Sequence, residues 1–236
     1  MLYRGTQRIT PIIRVDKTPT YTYNVDFIGN NINVDKGIAS IQGMTTSAYI
    51  QTKQPIINQL HTASSWKIVV NYNLLCYKNY STVFATGDAN MTNIDYQAIN
   101  CTYESDTLRL FLGSNGNNWD IVGWSVDPYG GEYWDPRDNY MLSGCEFILE
   151  LEFTGTQYTC KIKNLSFGDS TFTTTNSAST TTKIGLSNNS TPTYLILGNN
   201  AFRYNEGYVY GALIKYNLLN SYYTIDGVTT YLAEEN

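Results

Sequence analysis

The sequence predicts an all-β chain folded as a sandwich of two antiparallel sheets. Three observations carry that expectation. Cys145 to Lys163 reads as a hairpin: Phe147, Leu149, Leu151 and Phe153 fall on one face, with Glu150 and Glu152 on the other. After a Thr154-Gly155-Thr156 turn, Tyr158, Cys160 and Ile162 alternate with Gln157, Lys161 and Lys163. Period-two alternation across a Gly-containing turn marks two half-buried antiparallel strands, and a sheet with one apolar face needs a second layer to cover it. Composition is the second observation. Charged residues make up 15% of the chain and there are 21 tyrosines. That mix suits strands with polar, uncharged outer faces. Third, helical periodicity is almost absent, and only Pro55 to His61 reads as one short turn of helix.

The elements follow in order. Residues 1–20 differ from the rest: Arg4, Arg8, Arg14 and Lys17 cluster there with Pro11 and Pro19, and Ile9, Ile12 and Ile13 have few apolar neighbours. Pro11 interrupts any strand. This segment reads as an arm lying on another surface or subunit, the alternative being a disordered terminus. The sandwich is expected over 21–236. Tyr21, Tyr23, Val25 and Phe27 alternate before a Gly29-Asn30-Asn31 turn, and short strands at Ile38–Ile41 and Ser47–Ile50 flank Gly43. Trp66, Ile68, Val70 and Tyr72 oppose Lys67, Val69 and Asn71 in a clean strand. Weaker candidates at Ser81–Thr86 and Ile94–Asn100 precede Leu108, Leu110 and Leu112, which end in the turn cluster Gly113-Ser114-Asn115-Gly116. A strand begins at Trp119 to Trp124. Residues 125–144 form a long polar loop, and Phe167 to Lys183 reads as an exposed Ser/Thr/Asn-rich meander. Strands at Tyr194–Leu197, Tyr208–Lys215 and Ser221–Tyr231 close the domain.

Charge and cysteine usage exclude several functions. The formal net charge is −5, and no basic stripe is present to neutralise phosphates, so nucleic acid is not expected as a partner. No window has the length and apolarity of a membrane span. The opening MLYRGTQRITPIIRV lacks the apolar core of a signal peptide, which points to synthesis in a cytoplasm. Cys76, Cys101, Cys145 and Cys160 form no C-x-x-C pair, and the single His61 completes no zinc site. Free thiols are therefore expected, with no catalytic residue, cofactor or metal assigned.

The chemistry-bearing residues concentrate in one segment. Trp124, Tyr129, Tyr133 and Trp134 lie there beside Asp127, Asp135, Arg137 and Asp138, with Trp119, Asp120 and Glu132 close in sequence. Aromatic faces stack on the apolar faces of sugars, while carboxylates and arginine hydrogen-bond hydroxyls. The other reading makes Trp119 and Trp124 core residues and the loop a packing surface for a neighbouring subunit. Asp135-Pro136-Arg137-Asp138 offers oxygen ligands compatible with Ca²⁺, though not in EF-hand order. Gly113–Gly116 does not match a phosphate-binding loop.

Four stretches in this order, SWKIVVNY, LRLFLGSNGNNWDI, EFILELEFTGTQYTCKIKN and GALIKYNLLNSYYTIDGVTTYLA, resemble the concanavalin A-like, laminin-G-type jelly roll. The likeness is to the version in tail, fibre and capsid-decoration proteins of bacteriophages, and the opening LYRGTQRITPII is also similar to phage virion proteins. It spans about residues 35–232 plus the arm. The resemblance implies a virion protein, made in the host cytoplasm, that assembles with other virion proteins and with copies of itself. Attachment would run through Arg4, Arg8, Ile9, Ile12, Ile13 and Arg14, and a host surface glycan would be its outward partner. A carbohydrate-binding, receptor-recognition module is the alternative, and a glycan hydrolase the third reading. Hydrolases on this fold resemble E-x-D-x-x-E along one strand, whereas Glu146 to Glu152 reads EFILELE and lacks the aspartate.

Overall fold

The computed structural model describes residues 19–41, 48–76, 81–88, 98–104, 107–114, 120–126, 145–166, 174–185, 191–199 and 213–236. The arm residues Arg4, Arg8, Ile9, Ile12, Ile13 and Arg14 lie outside them. The described strands are β1 Tyr21–Tyr23, β2 Val25–Ile28, β3 Ile32–Asp35, β4 Ile38–Ile41, β5 Tyr49–Thr52, β6 Trp66–Cys76, β7 Thr82–Asp88, β8 Ile99–Glu104 and β9 Thr107–Leu112. They continue as β10 Val122–Val126, β11 Cys145–Phe153, β12 Gln157–Asn164, β13 Thr174–Ser179, β14 Thr193–Leu197, β15 Leu213–Asn217, β16 Tyr222–Ile225, β17 Val228–Tyr231 and β18 Ala233–Glu235. One short helix, α1 (Ile57–Thr62), stands where the sequence predicts a single turn.

The chain is an all-β sandwich of two antiparallel sheets. A seven-stranded sheet runs β10-β9-β8-β7-β14-β5-β2. A nine-stranded sheet runs β13-β12-β11-β6-β15-β4-β3, with the β16–β17 hairpin attached to β6. The chain passes from one sheet to the other at β2–β3, β4–β5, β5–β6, β6–β7, β10–β11, β13–β14 and β14–β15, a jelly-roll path. A separate two-stranded ribbon joins β1 to β18.

Every interior residue the alternation selects is buried: Trp66, Ile68, Leu108, Leu110, Phe147, Leu149, Leu151, Phe153, Tyr158 and Ile162. They belong to one core contributed by both sheets. Phe153 stacks on Tyr158 with ring centroids 4.5 Å apart, and Phe147 on Tyr72 at 5.3 Å. Tyrosine hydroxyls make hydrogen bonds between the layers. The Tyr72 and Tyr103 hydroxyls meet at 2.9 Å, and the Tyr216 hydroxyl donates to the Val83 carbonyl at 2.7 Å. Each lets a large aromatic bridge the interior without orphaning its polar tip.

The turns follow from backbone chemistry. Gly155, between β11 and β12, has φ +93°, and a Cβ there would lie 2.9 Å from the Ser64 carbonyl oxygen. Asp226 and Gly227 both have positive φ, 47° and 85°, the two-residue turn whose twist suits a hairpin.

Four local readings differ from the structure. The predicted Phe167–Lys183 meander contains β13, which pairs with β12. Its sequence TTNSAS carries no apolar alternation because it is an edge strand, and only Ala178 packs against the core. The single strand read over Tyr21–Phe27 is broken at Asn24, whose N–H donates to Leu232 and whose carbonyl accepts from Lys53, so the chain changes partner there. β3 follows directly on the predicted Gly29-Asn30-Asn31 turn, with Ile32 and Val34 turned to the core and Asn33 and Asp35 outward, and short, polar β18 gives no periodic signal. The candidate strand Ile94–Asn100 corresponds to β8 from Ile99 onward, with 91–97 outside the described residues.

Candidate functional site

Of the residues that the sequence nominates for ligand contact, Trp124 alone is described. It sits on β10 opposite Leu110, half-buried, and packs against the core. Tyr129, Tyr133, Trp134, Asp127, Asp135, Arg137 and Asp138 lie outside the described residues, as does Trp119. Asp120 accepts the Ser114 N–H at 2.6 Å and also the Ser114 hydroxyl. Slight burial acts to raise its pKa, but the Ser114 hydrogen bonds outweigh that and hold it below the ordinary aspartate value. Asp120 thus clasps the end of the Gly113 turn.

The described residues that gather functional chemistry stand on the outer face of the nine-stranded sheet. Register alone brings them together. β11 pairs β12 and β6 so that Glu150 lies opposite Lys161 and Val69, and Glu152 opposite Thr159 and Lys67. β6 in turn sets Lys67 opposite Thr224 and Val69 opposite Tyr222 on β16. The hairpin carries the rows on to Thr229 and Tyr231 of β17. Two transverse rows result: Thr159, Glu152, Lys67, Thr224, Thr229, and beside it Lys161, Glu150, Val69, Tyr222, Tyr231. Neighbours within such a row have Cβ atoms about 5 Å apart.

The charges in these rows are paired. Lys67 Nζ lies 3.5 Å from Glu150 and 3.3 Å from Glu152, and Lys161 donates to Glu150 at 3.2 Å. Partial burial of Lys67 would lower its pKa, but the carboxylates of Glu150 and Glu152 outweigh this and raise it. Two lysines thus meet two glutamates, and the cluster has no net charge.

One end of this face is hollowed into an open groove of about 540 Å³. Lys67 and Glu152 line it together with Tyr222, Thr224, Thr229 and Tyr231, and Gly227 stands at its rim. The Tyr222 and Tyr231 rings lie 5.3 Å apart and are tilted by 55°, and Tyr231 is 42% exposed. The Thr224 and Thr229 hydroxyls meet at 2.9 Å. Asp226 fixes the hairpin that forms this wall: one carboxylate oxygen accepts the N–H groups of Ser64 at 2.8 Å and Ser65 at 3.0 Å. A Cβ on Gly227 would meet nothing within 4 Å, so the rim is open there.

The remaining chemistry is structural. His61 ends α1, with Nδ1 2.8 Å from the Ile184 carbonyl oxygen. Cys101, Cys145 and Cys160 are buried free thiols. Burial raises the Cys101 thiol well above its ordinary value and pushes Cys160 up to about 12, with Glu150 adding to the latter. Among the described residues, no group of three or more His, Cys, Asp or Glu side chains is placed to hold a metal ion.

No protein-family model matches the chain, and no relative matches it among curated proteins. Solved structures resemble it in shape. The exoplasmic/lumenal domain of VIP36 in its Ca²⁺/Man3GlcNAc-bound form superposes with a TM-score of 0.49 at 7% identity, over 88% of this chain and 84% of that one. The CBM2 module of the evolved Dit of Lactobacillus casei BL23 phage J-1 gives 0.48 at 13% identity, over 92% and 94%. Lectin II from Ulex europaeus gives 0.47 at 13% identity, over 94% and 99%. At such identities and scores, nothing follows from them about what this chain binds.

Proposed function

We propose that the chain is a non-catalytic recognition module of a bacteriophage virion, carried on the particle by its N-terminal arm and presenting its sandwich to a host-surface glycan. The observation that carries the recognition part is the open groove on the nine-stranded sheet, where tyrosine rings stand beside hydrogen-bonding groups whose charges are already balanced. Small-ligand sites combine apolar walls with a few convergent polar groups in this way. The arm residues Arg4, Arg8, Ile9, Ile12, Ile13 and Arg14 keep their assembly role on the basis of sequence. Tyr129, Tyr133 and Trp134, with Asp127, Asp135, Arg137 and Asp138, remain the second contact surface, toward glycan or a neighbouring subunit.

The hydrolase reading draws no support from Glu150 and Glu152. The EFILELE stretch lacks the aspartate of the E-x-D-x-x-E pattern, and Glu150 and Glu152 are both paired with Lys67 rather than set apart as a separate acid and nucleophile or base. A glycan array probed with the full chain, with co-purification on particles, tests the proposal. Glycan binding without turnover, and particle attachment that depends on the arm, support it. Hydrolysis that disappears in Glu150→Gln would replace it with an enzyme.

A further inference from the structure

Building on the recognition reading, we infer that the groove beside the β16–β17 hairpin binds an uncharged sugar by a vicinal pair of hydroxyls, held between Lys67 and Glu152, with the ring against Tyr231 and Tyr222. An ammonium group has three donors, and the two carboxylates engage Lys67 from one side, so one donor remains for a ligand. Glu152 meets Lys67 through one oxygen and is part-exposed, which leaves acceptor sites on a group that lines the groove. A donor and an acceptor 3.3 Å apart match adjacent sugar hydroxyls, one accepting from Lys67 and the other donating to Glu152. Hydrogen bonds to charged groups are among the stronger kinds.

Charge balance selects against ionic ligands. An acidic sugar would bring its carboxylate beside Glu150 and Glu152, and an amino sugar its cation beside Lys67 and Lys161. A neutral diol leaves the four-residue cluster intact. The tyrosines supply the apolar component: Tyr231 is the most exposed aromatic among the described residues and stands in the row next to Lys67. Thr229, hydrogen-bonded to Thr224, lines the same end and is placed to meet a further hydroxyl.

The test begins with the full chain on arrays of neutral, sialylated and amino-sugar glycans. Calorimetry then follows on the neutral pyranosides that bind and on their deoxy analogues lacking one hydroxyl of the vicinal pair. Neutral glycans should bind best, and removing one hydroxyl should weaken binding about tenfold, or about 1.4 kcal/mol. Lys67→Met, Glu152→Gln and Tyr231→Ala should each do the same with the melting temperature retained. Thr229→Val, on the exposed hairpin, serves as a variant that leaves the ion-pair cluster untouched and should weaken binding by a smaller factor. Preference for sialylated or amino-sugar glycans overturns the inference. So does neutral-glycan binding that survives all four variants but falls in Trp134→Ala, an outcome that leaves the recognition reading standing. Silence on every array overturns both.

Discussion

At the scale of single residues, the core and the outer face follow different rules. Leu149 is fully buried on the central strand β11, among side chains from both sheets. Leu149→Ala should therefore cost about 2–5 kcal/mol, the range for a buried leucine that leaves a cavity, measured by chemical denaturation. Tyr216→Phe is a gentler change. The ring stays, and the Val83 carbonyl still accepts from Gly198 at 3.3 Å, so the loss should be about 1 kcal/mol, the net worth of one hydrogen bond. A loss as large as that of Leu149→Ala would show that the hydroxyl holds the layers together. The outward direction of Glu150 and Glu152 was legible in the alternation of EFILELE. Their partner Lys67 was not, because it lies more than eighty positions earlier and only the β6–β11 register brings it across. The groove has no local signature for the same reason: Lys67, Glu152, Thr224 and Tyr231 come from four strands.

At the scale of elements, strands with a strong apolar face were readable and polar edge strands were not. β6, β9, β11 and β12 follow alternation, whereas Ser221–Tyr231, read as one closing strand, is split into the β16–β17 hairpin by a turn at Asp226-Gly227. β13 and β18 exist because a neighbouring edge was free to pair, which no local pattern encodes. The arm is an expectation of the same kind, argued from the arginines, prolines and isolated isoleucines of RGTQRITPII. Deleting residues 1–20 should leave the melting temperature nearly unchanged while abolishing attachment or self-association, read by calorimetry and light scattering. A fall of more than about 10 °C would place those isoleucines in the domain core, because about 1 kcal/mol shifts a domain of this size by only a few degrees.

At the scale of the whole molecule, the sandwich interior carries titratable groups that stay neutral because water is excluded. Burial raises the hydroxyls of Tyr72, Tyr158 and Tyr216 and the thiols of Cys101 and Cys160. A folded-state pKa above the unfolded one means that the native chain holds its proton longer. That contribution is complete below the unfolded values of 9.0 for cysteine and 10.0 for tyrosine and fades as pH rises above them. Cys160, pushed up to about 12, fixes one window. Denaturation midpoints should be flat from neutral pH to about 9 and fall steeply above it, and Cys160→Ala should soften the fall. A midpoint that is flat through pH 11 would mean that these groups are solvated. The molecule turns a hollowed, charge-balanced face outward, and recognition through it requires that a glycan lie there. Amide chemical-shift mapping of the full chain, titrated with a neutral oligosaccharide, tests this most directly. The predicted result is a set of shifts confined to Lys67, Glu152, Thr224, Thr229, Tyr231 and their strand neighbours. No shifts at all, or shifts confined to residues 125–144, would contradict the account.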